Sequence, residues 1–274
     1  MASINTNMGA LIALQNLNNT NSQLSTVQKR ISTGLKVADA RDNGGAFAIA
    51  QKLRGEVAGF NAVQGSLSRV QSTVDVASAA GTAVSDLLIE LKEKALASSD
   101  TSLDAASRTA LNEDFVALRD QIDTIVSNAS FNGTNLINNS TASIAALANS
   151  DGSSVITVLD ENLSLGGSIV TIADTASINT VTRAAAAVTA ITTSINNVGA
   201  SLARLGTKSK ALEIQSTFVT KLSDATTAGI GNLVDADLAK ESANLQALQV
   251  KQQLGVQALS IANSAPSLVL GFFR

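Results

Sequence analysis

The sequence predicts a mainly α-helical protein, a long coiled-coil rod made of a three-helix outer bundle plus paired terminal helices, with a small β-hairpin region. Three observations predict it. Hydrophobic residues make up 45% of the 274-residue chain but aromatic residues only 3%, so Ala, Leu, Val and Ile must fill the interior. Such side chains suit narrow helix-to-helix seams better than a thick globular core. Apolar residues recur with a seven-residue period over long stretches, and the period changes to alternation in one short central segment.

Taken in order, the first element is an amphipathic helix over 1–36, with Leu17, Leu24 and Ile31 at heptad spacing and Leu14, Val27 and Leu35 beside them. The stretch Ala40–Gln51, "ARDNGGAFAIAQ", follows. It has neither the glycine spacing of a phosphate loop nor a strand before it, so it reads as a linker between helices over 37–46. From Phe60 to Leu91 the a/d pattern is unbroken: Phe60, Leu67, Val74, Gly81 and Leu88 form one series, Val63, Val70, Ala77, Val84 and Leu91 the other. One helix over Phe47–Ser98 would be roughly 78 Å long, which calls for a rod.

Thr101–Asp104 reads as a capping box opening a second helix, whose apolar series is Leu111, Phe115, Leu118, Ile122, Ile125 and Ala129. The two helices occupy 47–140. Ser153–Ala173 alternates, is rich in β-branched residues and carries Gly166-Gly167, so one or two β-hairpins are expected within 141–177, with no large inserted domain. A third long helix with its linker, over 178–232, places Ala184, Ile191, Val198, Leu205, Leu212 and Val219 in one series and Val181, Val188, Ile195 and Leu202 in the other. The last helix, over 233–274, presents Leu238, Leu245, Leu248, Val256 and Leu259.

Both ends are rich in Asn, Gln, Ser and Ala and nearly without charge. In a homopolymer every buried charge lies near copies of itself, so neutral polar and small apolar residues are the compatible choice. The terminal helices therefore read as surfaces that meet copies of themselves. A closed monomeric bundle is the alternative.

The same composition narrows function. Without His or Cys the chain lacks the commonest general base, the commonest metal ligand and the thiolate nucleophile, so an enzyme is not expected and no cofactor is implied. A net charge of -3 argues against nucleic acid as partner. Residues 1–28 carry no charge and no aromatic anchor, which argues against a secretory leader and against membrane insertion. Asp235, Asp237 and Glu241 read as a helix cap and solvated face rather than a cation site.

Three stretches then carry a family resemblance. "RISTGLKVADARDNGGAFAIAQKLRGEVAGFNAVQ" (Arg30–Gln64), "SFNGTNLI" (Ser130–Ile137) and the C-terminal "DADLAKESANLQALQVKQQLGVQALSIANSAPSLVLGFFR" resemble, in order, the conserved segments of bacterial flagellin. The resemblance implies a structural subunit exported unfolded through the flagellar type III apparatus with a chaperone. It also implies polymerisation beneath a cap, next to hook-junction proteins, into an extracellular helical filament. By the same resemblance the terminal helices form the inner core, and Asp39, Arg41, Asp42, Gly44 and Gly45 form the spoke that joins it to the outer rod, although Ala46 stands where the family usually has Gly. The family's variable outer domains would be absent, leaving a minimal form. The receptor-recognition segment of many flagellins aligns with "LIELKEKALA" (Leu88–Ala97), where Glu90 replaces an Arg, Lys94 a Leu and Ala97 a Gln. Weak activation of the animal Toll-like flagellin receptor is therefore expected.

Overall fold

The computed structural model describes residues 6–271. Its elements, in order, are α1 (Met8–Thr33), α2 (Gly44–Ser98), α3 (Ala105–Asn128), β1 (Ser130–Phe131), β2 (Thr134–Asn135), β3 (Ser143–Leu147), β4 (Val155–Leu159), α4 (Val181–Val234) and α5 (Leu238–Gly271). The protein is mainly helical, and its strands form two small antiparallel sheets, β1-β2 and β3-β4, among the described residues. No described helix is long and apolar enough to cross a membrane. The chain divides into two compact units: Glu56–Asp224, and the residues up to Gly55 together with those from Ala225 onward.

The central unit is built on the heptad seam of α2. Phe60, Val63, Leu67, Val70, Val74, Ala77, Gly81, Val84, Leu88 and Leu91 are all buried, in alternating steps of three and four. Each such aliphatic side chain, fully buried, contributes on the order of 1.5–3 kcal/mol. Gly81 occupies one seam position, where a Cβ would lie 2.9 Å from Leu202 Cδ2. On α3, Phe115, Ile122 and Val126 are buried, with Leu111, Leu118 and Ile125 packed beside them.

The α4 seam differs in part from its sequence reading. Ala184, Ile191, Val198, Leu205, Leu212 and Val219 are buried as expected. Val188, Ile195 and Leu202 are only partly buried, and the second inward series runs instead through Ala187, Ser194 and Ser201. Hydropathy misjudges these serines because their hydroxyls find partners. Ser194 Oγ accepts from Thr171 N at 2.9 Å and donates to Ala190 O at 2.8 Å, while Ser201 Oγ accepts from Arg204 at 2.9 Å. Their small size lets the chain before α4 lie directly on the helix. Arg204 also holds buried Glu161 through two bonds of 2.7 and 2.6 Å, a fork geometry that fixes the end of β4 to α4.

The β3-β4 hairpin lies within the expected 141–177 but opens upstream of the alternating stretch. β4 falls within Ser153–Ala173, but its partner β3 lies upstream, with Ser143 opposite Leu159 and Leu147 opposite Val155. Gly166-Gly167 turns no hairpin. Gly166 N donates to Ile172 O, and Leu163, Val170 and Ile172 are buried in the core, so their alternation reports burial against helices rather than strand pairing. The tight β1-β2 turn was missed, yet its signal was present: Asn132 and Gly133 both take positive φ (49° and 78°), the requirement an Asn-Gly pair satisfies.

Helix ends are anchored by side chains. α3 is capped by Asp104, which accepts from Ser107 N at 2.7 Å, so the cap lies at Asp104 and not at Thr101. Arg108, buried, donates to the carbonyls of Ser98, Asp100 and Leu103, satisfying the C-terminal end of α2 and the turn that follows. Asn112 and Arg119 hold Ile178 N and Ala176 O at 2.7 Å each, which fixes the approach to α4.

Candidate assembly site: the terminal helices and their connection

In the other unit α1 and α5 pack antiparallel. Asn7 caps α1 by accepting from Ala10 N at 3.0 Å, and its amide donates to Ala262 O at 2.6 Å. Midway, Gln252 Nε2 donates to Asn21 Oδ1 at 2.8 Å, and Gly255 leaves room for Leu17, whose Cδ1 would lie 3.3 Å from a Cβ at that position. At the far end Arg30 pairs with buried Glu241 at 3.1 Å. The neutral polar residues that dominate both helices thus make cross-helix bonds without placing like charges side by side.

The predicted apolar residues divide between the two sides of this pair. Leu248 is buried with Val27, and Leu17, Leu24, Ile31, Leu245 and Leu259 are half-buried. Leu14, Leu238 and Val256 are exposed (43%, 50% and 53%), as are Met8, Leu11, Ile12, Val250, Leu254 and Ile261. Two helices share a single narrow seam, so a broad apolar stripe on each leaves much of itself uncovered.

The connection from α1 to α2 is ordered by hydrogen bonds. Gly34, with φ 70°, ends α1 in the left-handed region. Lys36 N and Val37 N donate to Val234 O at 2.7 and 3.2 Å, and Ala236 N donates to Gly34 O at 2.9 Å, which ties the connection to the junction of α4 and α5. Val37, Ala50 and Val234 bury a small cluster there, with Leu35, Phe47 and Ile230 against it. Lys29 Nζ reaches both Asp39 (2.8 Å) and Asp42 (3.0 Å). Asp42 Oδ2 also accepts from Ala38 N and Asp39 N, and Asp39 Oδ1 accepts from Arg41 N. The Lys29 ammonium, helped by these N–H groups, holds both carboxyls below the usual carboxylate range, and the Asp39 and Asp42 carboxylates in turn raise the pKa of Lys29.

Of the predicted spoke residues, Asp39, Arg41 and Asp42 come together here. Gly44 and Gly45 do not lie in the bend. They are the first two residues of α2, where Asn43 Oδ1 accepts from Ala46 N at 3.1 Å. The conformational freedom is needed at Gly34. Sequence reasoning overlooked Asn43, although an Asn just before a helical run is a capping signal. It also overlooked Lys29, whose link to residues ten and thirteen positions on no periodicity reveals. Asp237 accepts from Ala239 N and Lys240 N, capping α5, while Glu241 is held by Arg30.

In the central unit, the predicted receptor segment is part of α2, with Leu88, Leu91 and Ala95 buried in the core. Glu90 and Ala97 are exposed, and half-buried Lys94 pairs with Asp114 of α3 at 2.8 Å.

Comparison with known proteins accounts for this arrangement. The family model for the bacterial flagellin N-terminal helical region matches residues 4–142, and that for the bacterial flagellin C-terminal helical region matches 188–273. The chain is 54% identical to flagellin FljK of Caulobacter vibrioides, covering 99% of this chain and 98% of that one. It is 36% identical to a flagellin of Brucella melitensis along the full length of both. A crystal structure of Bacillus cereus flagellin shares the fold with TM-score 0.50 at 20% identity, covering 56% of this chain and 88% of the other. These findings define a helical structural protein, not an enzyme. The chain belongs to the bacterial flagellin family. It is accordingly a structural subunit of the flagellar filament, an extracellular assembly. Several flagellins of Caulobacter vibrioides are similarly close, which supports polymerisation with copies of itself or with paralogues.

Proposed function

We propose that polymerisation is driven by the terminal helices, with residues 1–36 and 233–274 forming the inner core, 37–46 the spoke, and 47–140, 141–177 and 178–232 the outer core. The observation that carries this reading is the uncovered apolar side of the α1-α5 pair: Met8, Leu11, Ile12, Val250, Leu254 and Ile261 are each more than half exposed. A subunit that buries those residues against copies of itself gains about 25 cal/mol for each Å² of apolar surface removed from water. The nearly uncharged composition of both helices favours the same arrangement, since it avoids repulsion between identical neighbours.

The chain reaches its site by export in an unfolded state through the flagellar type III apparatus, accompanied by a chaperone. It polymerises beneath a filament cap and continues from hook-junction proteins. On the receptor side, Glu90 presents a carboxylate where many flagellins present an Arg, and Lys94 and Ala97 replace Leu and Gln. Purified monomer is therefore expected to activate the animal Toll-like flagellin receptor poorly in a reporter-cell assay. Full signalling at nanomolar protein would contradict this.

The assembly reading is tested by seeding purified monomer with filament fragments and inspecting the product by electron microscopy. Full-length protein should give long uniform tubes, whereas a chain lacking 1–36 and 243–274 should give none. Tubes from the truncated chain would overturn the proposal.

A further inference from the structure

Asn-Gly occurs twice in the sequence, at Asn43-Gly44 and at Asn132-Gly133. In such a pair the asparagine side-chain amide is open to attack by the next backbone nitrogen, because glycine brings no Cβ to shield it. The structure treats the two pairs differently. Asn43 is held: its Oδ1 accepts from Ala46 N at 3.1 Å, its carbonyl accepts from Phe47 N at 2.9 Å, and Gly44 opens α2. Moving Gly44 N onto the Asn43 amide would undo the start of that helix. Asn132 is not held. Both it and Gly133 are exposed at the tip of β1-β2, and neither the Asn132 amide nor Gly133 N bonds to any described residue. Even a Cβ on Gly133 would meet nothing within 4 Å. The turn is closed only by the pairs Ser130 with Asn135 and Phe131 with Thr134, and β1 is exposed throughout. Rotation about the Asn132 ψ, which brings Gly133 N onto Asn132 Cγ, therefore disturbs little.

We propose that Asn132 is a site of spontaneous deamidation in the folded protein. Gly133 N gives up its proton to base and attacks Asn132 Cγ; the N–Cγ bond forms, the Cγ–Nδ2 bond breaks, and the amide nitrogen leaves as ammonia. Water then opens the resulting succinimide at one carbonyl or the other, which gives aspartate or isoaspartate. No electrons are exchanged, and water is the only co-reactant. Either product adds a negative charge at the turn. Isoaspartate also routes the backbone through Cγ, inserting a methylene where the turn needs its two residues at φ 49° and 78°. β1-β2 then loses its turn. The chain beyond it stays anchored by buried Asn135, which donates to Val126 O at 2.7 Å and accepts from Ile137 N at 2.9 Å. The change is local, so it accumulates with age on a subunit that remains folded.

The test incubates the full-length protein in mildly alkaline buffer, with a parallel sample in denaturant. Aliquots are digested at intervals, and tandem mass spectrometry measures conversion at each asparagine. In the folded sample Asn132 should convert roughly tenfold faster than Asn43, because release of the cap and first turn of α2 adds to the barrier at Asn43. In denaturant the two should convert at similar rates. Isoaspartate at position 132 is identified by its methylation with S-adenosylmethionine and an isoaspartyl methyltransferase. Asn132→Gln, whose longer side chain would have to close a six-membered ring, should remove that signal. Two results would overturn the proposal: an Asn132 that stays intact in the folded protein while the denatured chain reacts, or an Asn43 that converts in the folded protein as fast as Asn132. The first would mean that the short ladder is enough to keep Gly133 N away from Cγ, the second that capping gives no protection.

Discussion

Gly59 sits where α2 meets the turn between β3 and β4, and a Cβ there would lie 2.7 Å from Ser150 Cβ and 2.8 Å from Ser150 O. The carbonyl belongs to the backbone, so the clash is not relieved by a rotamer change. Gly59→Ala should destabilise the central unit by about 1–3 kcal/mol despite its better helix propensity, a loss readable in urea unfolding. Unchanged or increased stability would show that the turn can move aside. Arg108→Met keeps the aliphatic stem but removes the donors to the Ser98, Asp100 and Leu103 carbonyls, and should cost about 1–3 kcal/mol in the same measurement. The Lys29, Asp39 and Asp42 cluster gives a pH dependence of definite sign. Both carboxyls have folded pKa values below their unfolded ones, so their contribution is complete above about pH 4 and is lost as pH falls through the folded values. Hydrogen exchange at the Ala38 and Asp39 amides, which donate to Asp42, should lose its protection on acidification and keep it through neutral pH. Protection unchanged well below pH 3 would contradict this.

At the scale of elements, the α2 seam was legible because each of its heptad positions faces other helices, so burial and hydropathy coincide from Phe60 to Leu91. The α4 seam was half legible. Ser194 is buried by virtue of a hydroxyl partner on a segment distant in sequence and Ser201 by one a turn along its own helix, and no periodicity reports a satisfied hydroxyl. Only the first part of the alternating Ser153–Ala173 stretch is strand, for a related reason: Val170 and Ile172 alternate because they pack on the core, not because they pair as a strand. For the proposed assembly residues the sequence points to the terminal helices but does not say which of their apolar positions face each other. That division, with Leu248 inward and Val256 outward, is set by how two helices pack. Asp104→Ala should shorten α3 from its N-terminus and cost about 1 kcal/mol, measurable by unfolding, while Thr101→Ala should change little, since the cap is Asp104.

At the scale of the whole molecule, the composition assigns separate tasks to separate parts of the chain. The central unit buries its aliphatic seams within itself. The terminal pair buries one seam and leaves its other apolar side to be covered from outside, which is what a polymerising subunit requires. The most direct measurement of this claim replaces two of the uncovered residues, Leu254→Ser with Ile261→Ser, and determines the monomer concentration that remains in equilibrium with seeded filaments. Thermal unfolding of the central unit should be unchanged, while the equilibrium monomer concentration should rise by roughly tenfold or more, as expected when apolar side chains lose their burial. Assembly equal to that of the parent chain would contradict the account, because the exposed side of the terminal helices would then have no part in holding the filament together.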